Sequence, residues 1–180
     1  IVRITRALAL AVGEAEEPWT LPLPRGGFAR HRNRWVSLPQ YAVRQHHLLH
    51  ARLRQVAEMF ETSPYDRSAG EGPLGIIAVG AAHEKAVRAL GPDAARYRRL
   101  ALSSVWPLPE AAVTRWLLGL ERVLILEEGG PFVEEAIGAL AQRADLAVEI
   151  LGRARRCVPA EGELSAADVL TAVAALDPTL

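Results

Sequence analysis

His83 and Glu84 follow a glycine-ended apolar run, GPLGIIAVG, where a general acid and base could act on a bound substrate. Glu127 and Glu128 make a second such place, a carboxylate pair directly ahead of Gly129-Gly130. Ser103 and Ser104 close a third apolar run. In open α/β sheets ligands sit beyond the carboxyl ends of the strands. His83, Glu84, Ser103, Ser104, Glu127 and Glu128 are therefore the candidate strand-end polar cluster. The residues around them argue for modest chemistry. After Gly80 come Ala81 and Ala82, so the further glycines of a GxGxxG pyrophosphate turn are missing. Gly129-Gly130 could cradle an anion at a helix start, but two adjacent carboxylates repel phosphate. His83-Glu84 has neither a nucleophile nor a partner carboxylate at a supporting spacing, and reads more simply as a polar pair at a helix N-terminus.

HHLLH, His46 to His50, places two imidazoles one helical turn apart, which is metal-ligand spacing. No glutamate completes an HExxH, no Cys or Asp ligand stands near, and His46 falls on an apolar seam, so a metal is not expected there. Residues 25–54 hold seven Arg, four of the five His and no acid. Such a stretch could grip nucleic-acid phosphates, but few aromatics and no RNA-binding signature accompany it. Docking on an acidic protein surface is the expectation, with Arg30, Arg32, Arg34, Arg44, His47 and Arg54 as the docking residues.

The bulk numbers set bounds. The chain has 180 residues, half of them apolar, and a formal net charge of zero. That length supports one sizeable core, and zero net charge gives no whole-molecule attraction to nucleic acid or acidic membrane. Lys85 is the sole lysine. Cys157 is the sole cysteine, so no internal disulfide forms, and one thiolate cannot hold an iron–sulfur cluster. No apolar run approaches the ~20 residues of a membrane span, and a cytoplasmic location is expected.

The elements that must position these residues follow from periodicity. Ile1–Leu10 reads as a strand without a companion before it, as if it ended a domain lying upstream, so the chain reads as a piece of a longer polypeptide. Residues 13–39, rich in proline and glycine, read as a linker. A helix is expected over about Pro39–Thr62, with His46, Leu49, Leu53, Val56 and Phe60 at spacings of 3, 4, 3 and 4. Residues 66–73 read as a break. Strands follow at Leu74–Val79, Arg96–Leu102, Arg122–Leu126 and Ala147–Leu151, alternating with helices at Ala82–Leu90, Glu110–Leu118, Pro131–Arg143 and Ser165–Leu176. Phe132, Val133, Ala136, Ile137 and Leu140 make the clearest helical stripe, and Ser165 with Asp168 resembles a capping box. Alternating strands and helices imply parallel pairing, and so an α/β domain with a sheet of four or five strands over residues 72–180.

Several stretches, taken in order, resemble a known family. They are VRITR (Val2–Arg6), AVRQHHLLHARL (Ala42–Leu53), ETSPYD (Glu61–Asp66), GIIAVGAAHEKAVRAL (Gly75–Leu90), WPLPEAAVTRWLLGLERVLILEEGGPFVEEAI (Trp106–Ile137) and GELSAADV (Gly162–Val169). Together they are similar to the alpha-subunit family of the indolepyruvate:ferredoxin oxidoreductases, which are thiamine diphosphate-dependent 2-oxoacid:ferredoxin oxidoreductases. That family carries a G-I-I-A-S-G run, a Y-P-L-P-E turn, a V-x-E-E-x-x-P-F-x-E-E helix start and a G-E-L-(S/T) ending. Departures are His83 where tyrosine is common, Tyr65-Asp66 for Leu-Asn, and Trp106 for tyrosine; they leave the identity of the 2-oxoacid open.

The resemblance implies a three-layer α/β/α sandwich with a mostly parallel sheet of about five strands, like the transketolase C-terminal domain. It divides the chain into the last strand of a pyrimidine-binding domain (1–12), a linker with a basic helix (13–71), and the transketolase C-terminal-like domain (72–180). In the parent enzyme it implies thiamine diphosphate, magnesium and [4Fe-4S] clusters, coenzyme A and ferredoxin, the remaining domains of the alpha subunit and a second, beta subunit. The activating glutamate would lie upstream of Ile1 and the cysteine-rich segment downstream of Leu180. No catalytic, cofactor-binding or metal-binding role transfers to a residue here, and none of those cofactors is expected in this fragment. The resemblance thus implies a non-catalytic assembly domain of an enzyme that oxidatively decarboxylates an arylpyruvate to an acyl-CoA. The alternative is a free-standing interaction module of the same fold, without activity. Neither nucleic acid nor a membrane is an expected partner.

Overall fold

The computed structural model describes residues 10, 12, 26–27, 30–36 and 38–179. The expected strand at Ile1–Leu10 lies outside them, apart from Leu10, an exposed turn residue. The chain forms two compact units, Ile1–Leu49 and His50–Leu180.

In the first unit, a short helix, α1 (Arg32–Trp35), interrupts the expected linker, and α2 (Pro39–Phe60) begins soon after it. Gln45 Nε2 donates to the Asn33 carbonyl at 3.2 Å. The seam expected along α2 is only partly an inward face. His46 and Leu49 are exposed, whereas Leu53, Val56 and Phe60 are half-buried. A 3-4 apolar spacing shows which residues share a helix face, not whether anything covers it.

The second unit carries a five-stranded sheet in the order β1-β3-β2-β4-β5. Its strands are β1 (Arg67–Ala69), β2 (Leu74–Val79), β3 (Arg98–Leu102), β4 (Arg122–Leu126) and β5 (Glu149–Leu151). β2 pairs in parallel with β3 and β4, and β4 with β5; β1 runs antiparallel along the outer edge of β3. The helices are α3 (Ala82–Leu90), α4 (Glu110–Leu117), α5 (Phe132–Arg143) and α6 (Ala166–Leu176).

Alternation along the strands sorts the core into two faces. Ile76, Ala78, Leu124, Leu126 and Leu151 pack with Ala82, Ala86 and Leu90 of α3 and with Val169, Ala172, Val173 and Leu176 of α6. Ile77, Leu100, Leu102, Val123 and Ile125 pack with Val113 and Leu117 of α4 and Val133, Ile137 and Leu140 of α5. The result is the expected three-layer α/β/α sandwich with a mostly parallel sheet.

Three expectations shift in detail. Residues 66–73 contain β1 rather than only a break. Pro92 lies near the start of a 3-10 turn, Gly91–Arg96, which delays β3 to Arg98. Phe132 does not join the buried stripe of α5; it is 53% exposed and meets Trp106 edge-on, with ring centroids 6.0 Å apart. Ser165 caps α6 as expected: its Oγ accepts from Asp168 N at 3.1 Å, while Ser165 N donates to the Asp168 carboxylate at 2.9 Å.

Candidate functional site

The carboxyl ends of β2, β3 and β4 lie side by side, with β2 central and later strands added on both of its sides. Such a reversal of strand order is where α/β sheets bind ligands. Here that rim is largely occupied by the chain's own side chains.

Glu127, at the end of β4, is 4% exposed. Its carboxylate accepts from Val133 N and Glu134 N, each at 2.9 Å. These are donors of the first turn of α5, the groups a phosphate would use. The protein's own carboxylate thus fills the anion position that Gly129-Gly130 suggested. Burial pushes the Glu127 carboxyl above the ordinary range, against the pull of the two backbone donors.

Glu128 is a latch. Lys85 Nζ lies 2.7 Å from Glu128 Oε1 and 2.7 Å from Glu163 Oε1, and Leu164 N donates to the same Glu128 oxygen at 3.0 Å. The single lysine therefore ties α3 to the end of β4 and to the loop before α6. Arg153 continues the clasp, donating to the carbonyls of Glu127 at 2.9 Å, of Gly129 and of Ala160. Glu134, also buried, accepts from Arg153 N at 2.7 Å and Ala154 N at 3.0 Å. Gly152 leaves room for it: a Cβ there would stand 2.5 Å from the Glu134 carboxylate.

The serines are held by the segment before β1. Asp66 Oδ1 accepts from Ser103 N at 2.6 Å and Ser104 N at 3.0 Å, and Ser103 Oγ donates to the Tyr65 carbonyl at 3.2 Å. In the same segment, Glu61 accepts from Ala111 N and Ala112 N at 3.0 and 2.6 Å, capping α4. Glu61, Asp66, Lys85, Glu134 and Arg153 were not among the candidate residues. ETSPYD, which carries the first two, is their signal in the sequence.

His83 and Glu84 form the N-terminal polar pair of α3. The imidazole is half-buried and the carboxylate exposed. Burial lowers the His83 pKa, Glu84 opposes this, and Arg99 and Arg67 lower it further. The strand-end candidates thus share one rim but not one site: Glu127 and Glu128 are held in one hydrogen-bonded group and Ser103 and Ser104 in another. Among the described residues, no group of three or more His, Cys, Asp or Glu could hold a metal ion. The donor set here does not fit magnesium, and the α5 cradle does not fit a diphosphate.

Of the docking candidates, Arg30, Arg34, Arg44, His47 and Arg54 are exposed. The Arg34 guanidinium stacks 4.7 Å from the centre of the Trp35 ring. Arg32 opens α1, and its side chain is not among those described.

Fold and rim together define an α/β/α domain whose strand-end carboxylates cap and clasp its own elements. No protein-family model matches the chain, and no solved structure matches it. Curated sequences do. Over most of its length the chain is similar to one portion of indolepyruvate oxidoreductase subunit IorA. It is 31% identical to that subunit of Pyrococcus horikoshii over 83% of this chain and 23% of the relative. Identity is 32% to that of Pyrococcus abyssi, over 71% and 20%. It is 29% to that of Methanothermobacter marburgensis, over 92% and 27%. The chain thus spans about a quarter of the length of these relatives. No described helix is long and apolar enough to cross a membrane.

Proposed function

We propose that this chain is a non-catalytic assembly domain of a thiamine diphosphate-dependent 2-oxoacid:ferredoxin oxidoreductase, one acting on indolepyruvate or a related arylpyruvate. The observation that carries the reading is a pairing of coverage with chemistry. The similarity to IorA subunits spans most of this chain but a quarter of theirs, and the rim where a ligand would bind is taken up by caps and clasps. On this reading residues 72–180, joined at the sheet edge by β1 from the preceding segment, are the transketolase C-terminal-like domain, 13–71 a linker with a basic helix, and 1–12 the last strand of a pyrimidine-binding domain. Thiamine diphosphate, magnesium, [4Fe-4S] clusters, coenzyme A and ferredoxin belong to the parent enzyme, with a beta subunit beside it. The cofactor supplies the carbon chemistry; this domain contributes position and contact surface.

The test is the intact mass of the native polypeptide, with the thiamine and iron content of the same sample. A mass several times 19.5 kDa, carrying both, supports the assembly-domain reading. A mass near 19.5 kDa with neither overturns it and leaves a free-standing interaction module.

A further inference from the structure

Two arginines at the sheet's outer edge, Arg67 of β1 near the carboxyl end of β3 and Arg99 near its amino end, make no ion pair among the described residues. They lie where β1 closes on β3. The register sets Arg67 opposite Ala101 and Ala69 opposite Arg99. Side chains directly across a pair, and every second residue along a strand, share a face, so Arg67 and Arg99 project to one side. The β2–β3 register sets Ile76 beside Arg99 and Ala78 beside Ala101, which fixes that side as the α3 face. The two arginines are diagonal neighbours, about 7–8 Å apart at the backbone, a separation that long guanidinium side chains can close on a common ligand. His83, in the first turn of α3, stands just beyond Gly80, whose N donates to the Leu102 carbonyl of β3 at 3.1 Å, and the charge of both arginines helps burial to lower its pKa.

The buried Nε of Arg99 has no hydrogen-bond partner. Among the described residues two acids stand near: Glu84, which is exposed and opposes the lowering of the His83 pKa, and Asp66, whose Oδ1 is taken by Ser103 N and Ser104 N and whose buried Oδ2 makes no hydrogen bond. A buried guanidinium donor without an acceptor is costly to leave unmade, and a second guanidinium beside it adds repulsion. An oxyanion relieves both at once, since arginine presents paired N–H groups matched to phosphate and carboxylate oxygens.

We propose that Arg67, Arg99 and His83 form a binding corner for an oxyanion, the phosphate or carboxylate group of a small ligand. The site is separate from the Glu127–Lys85–Arg153 clasp, and it stands whether or not the parent enzyme is the one proposed above. An anion seated against the ring favours its protonated form, so binding raises the His83 pKa, and by linkage the anion binds more tightly as pH falls.

The experiment is a titration of the 180-residue chain with inorganic phosphate at constant ionic strength, following the His83 ring resonances by NMR. The expected result is saturable movement of His83 with a millimolar Kd and a higher His83 pKa at saturation. Arg99→Gln weakens binding at least tenfold, and so does Arg67→Gln on the exposed edge strand, where misfolding is not a concern. Arg115→Gln, on exposed α4 surface, changes nothing. A parallel titration with acetate separates the two ligand chemistries: tighter binding of acetate assigns the corner to carboxylates, tighter binding of phosphate to phosphates. A response reproduced by chloride, or one identical in wild type and both variants, overturns the proposal.

Discussion

At the scale of single residues, the strand-end glutamates show how a carboxylate that resembles catalytic equipment can be structural. Glu127 satisfies two buried first-turn amides at once, so Glu127→Ala leaves both unpaired and costs about 2–4 kcal/mol. Glu127→Gln keeps one acceptor and removes a buried charge, and it costs less than half as much. The pH dependence separates the two effects. Because burial raises the folded-state pKa of Glu127, the native state holds its proton longer than the unfolded chain. Stability from this group therefore falls as pH rises from the ordinary carboxylate range, about 4.3, through the raised folded value. Urea denaturation between pH 4 and 7 shows the gap between wild type and Glu127→Gln narrowing as pH rises. Tyr97 provides the alkaline counterpart. Burial, aided by the hydrogen bond to Asp177, lifts its phenol to about 12. Below about pH 10 both folded and unfolded states are neutral and its stabilisation is complete. From there to about 12 the unfolded chain ionises first, and that stabilisation is lost. Tyr97→Phe costs about 1 kcal/mol at neutral pH and removes this alkaline slope, which denaturation at pH 9 and 11 detects.

At the scale of elements, legibility followed the amount of apolar pattern each element carries. β2 and β4, LGIIAV and RVLIL, are rich in β-branched residues and buried on both faces, and their bounds in the structure are those read from the sequence. The α6 capping box was legible because its chemistry is local. β1 was not. It is three residues long, wholly exposed, and recognisable only by its partner β3. The rim failed to read through for the same reason: Glu128 meets Lys85, and Asp66 meets Ser103, across dozens of intervening residues, and no spacing rule links them. The chain leaves β1 through a tight backbone approach to β3. Gly70 has a φ of +75°, and a Cβ there would stand 2.2 Å from the Tyr97 carbonyl oxygen. Gly70→Ala therefore pushes β1 away from β3 and costs about 2–3 kcal/mol. Hydrogen exchange locates the damage: amides of β1 and the outer edge of β3 lose protection, while those of β4 and β5 keep theirs.

At the scale of the whole molecule, a formal net charge of zero conceals a segregation of charge along the sequence. Residues 25–54 carry seven arginines and no acid, against a formal net charge of zero for the chain, so the acids are concentrated in the rest of the sequence. In the His50–Leu180 unit many of those acids are engaged internally, in the clasps of Glu128 and Glu163 on Lys85, Glu149 on Arg122, and Asp177 on Arg96. The arginines Arg30, Arg34 and Arg44 remain exposed. A surface of one sign steers association with an acidic partner and makes it sensitive to salt. If the basic segment docks on the remaining domains of the parent subunit, reversing Arg30, Arg32 and Arg34 to Glu turns attraction into repulsion there while leaving the α/β unit intact. The variant then melts at the wild-type temperature, since Arg30 and Arg34 are exposed. When produced within the full-length subunit it assembles at least tenfold less well than wild type in size-exclusion chromatography, and replacing the three arginines with glutamine gives a smaller loss. Raising salt from 50 to 500 mM weakens wild-type assembly and partly restores that of the Glu variant, because screening acts on attraction and repulsion alike. Normal assembly of the Glu variant at low salt removes the docking role from this segment.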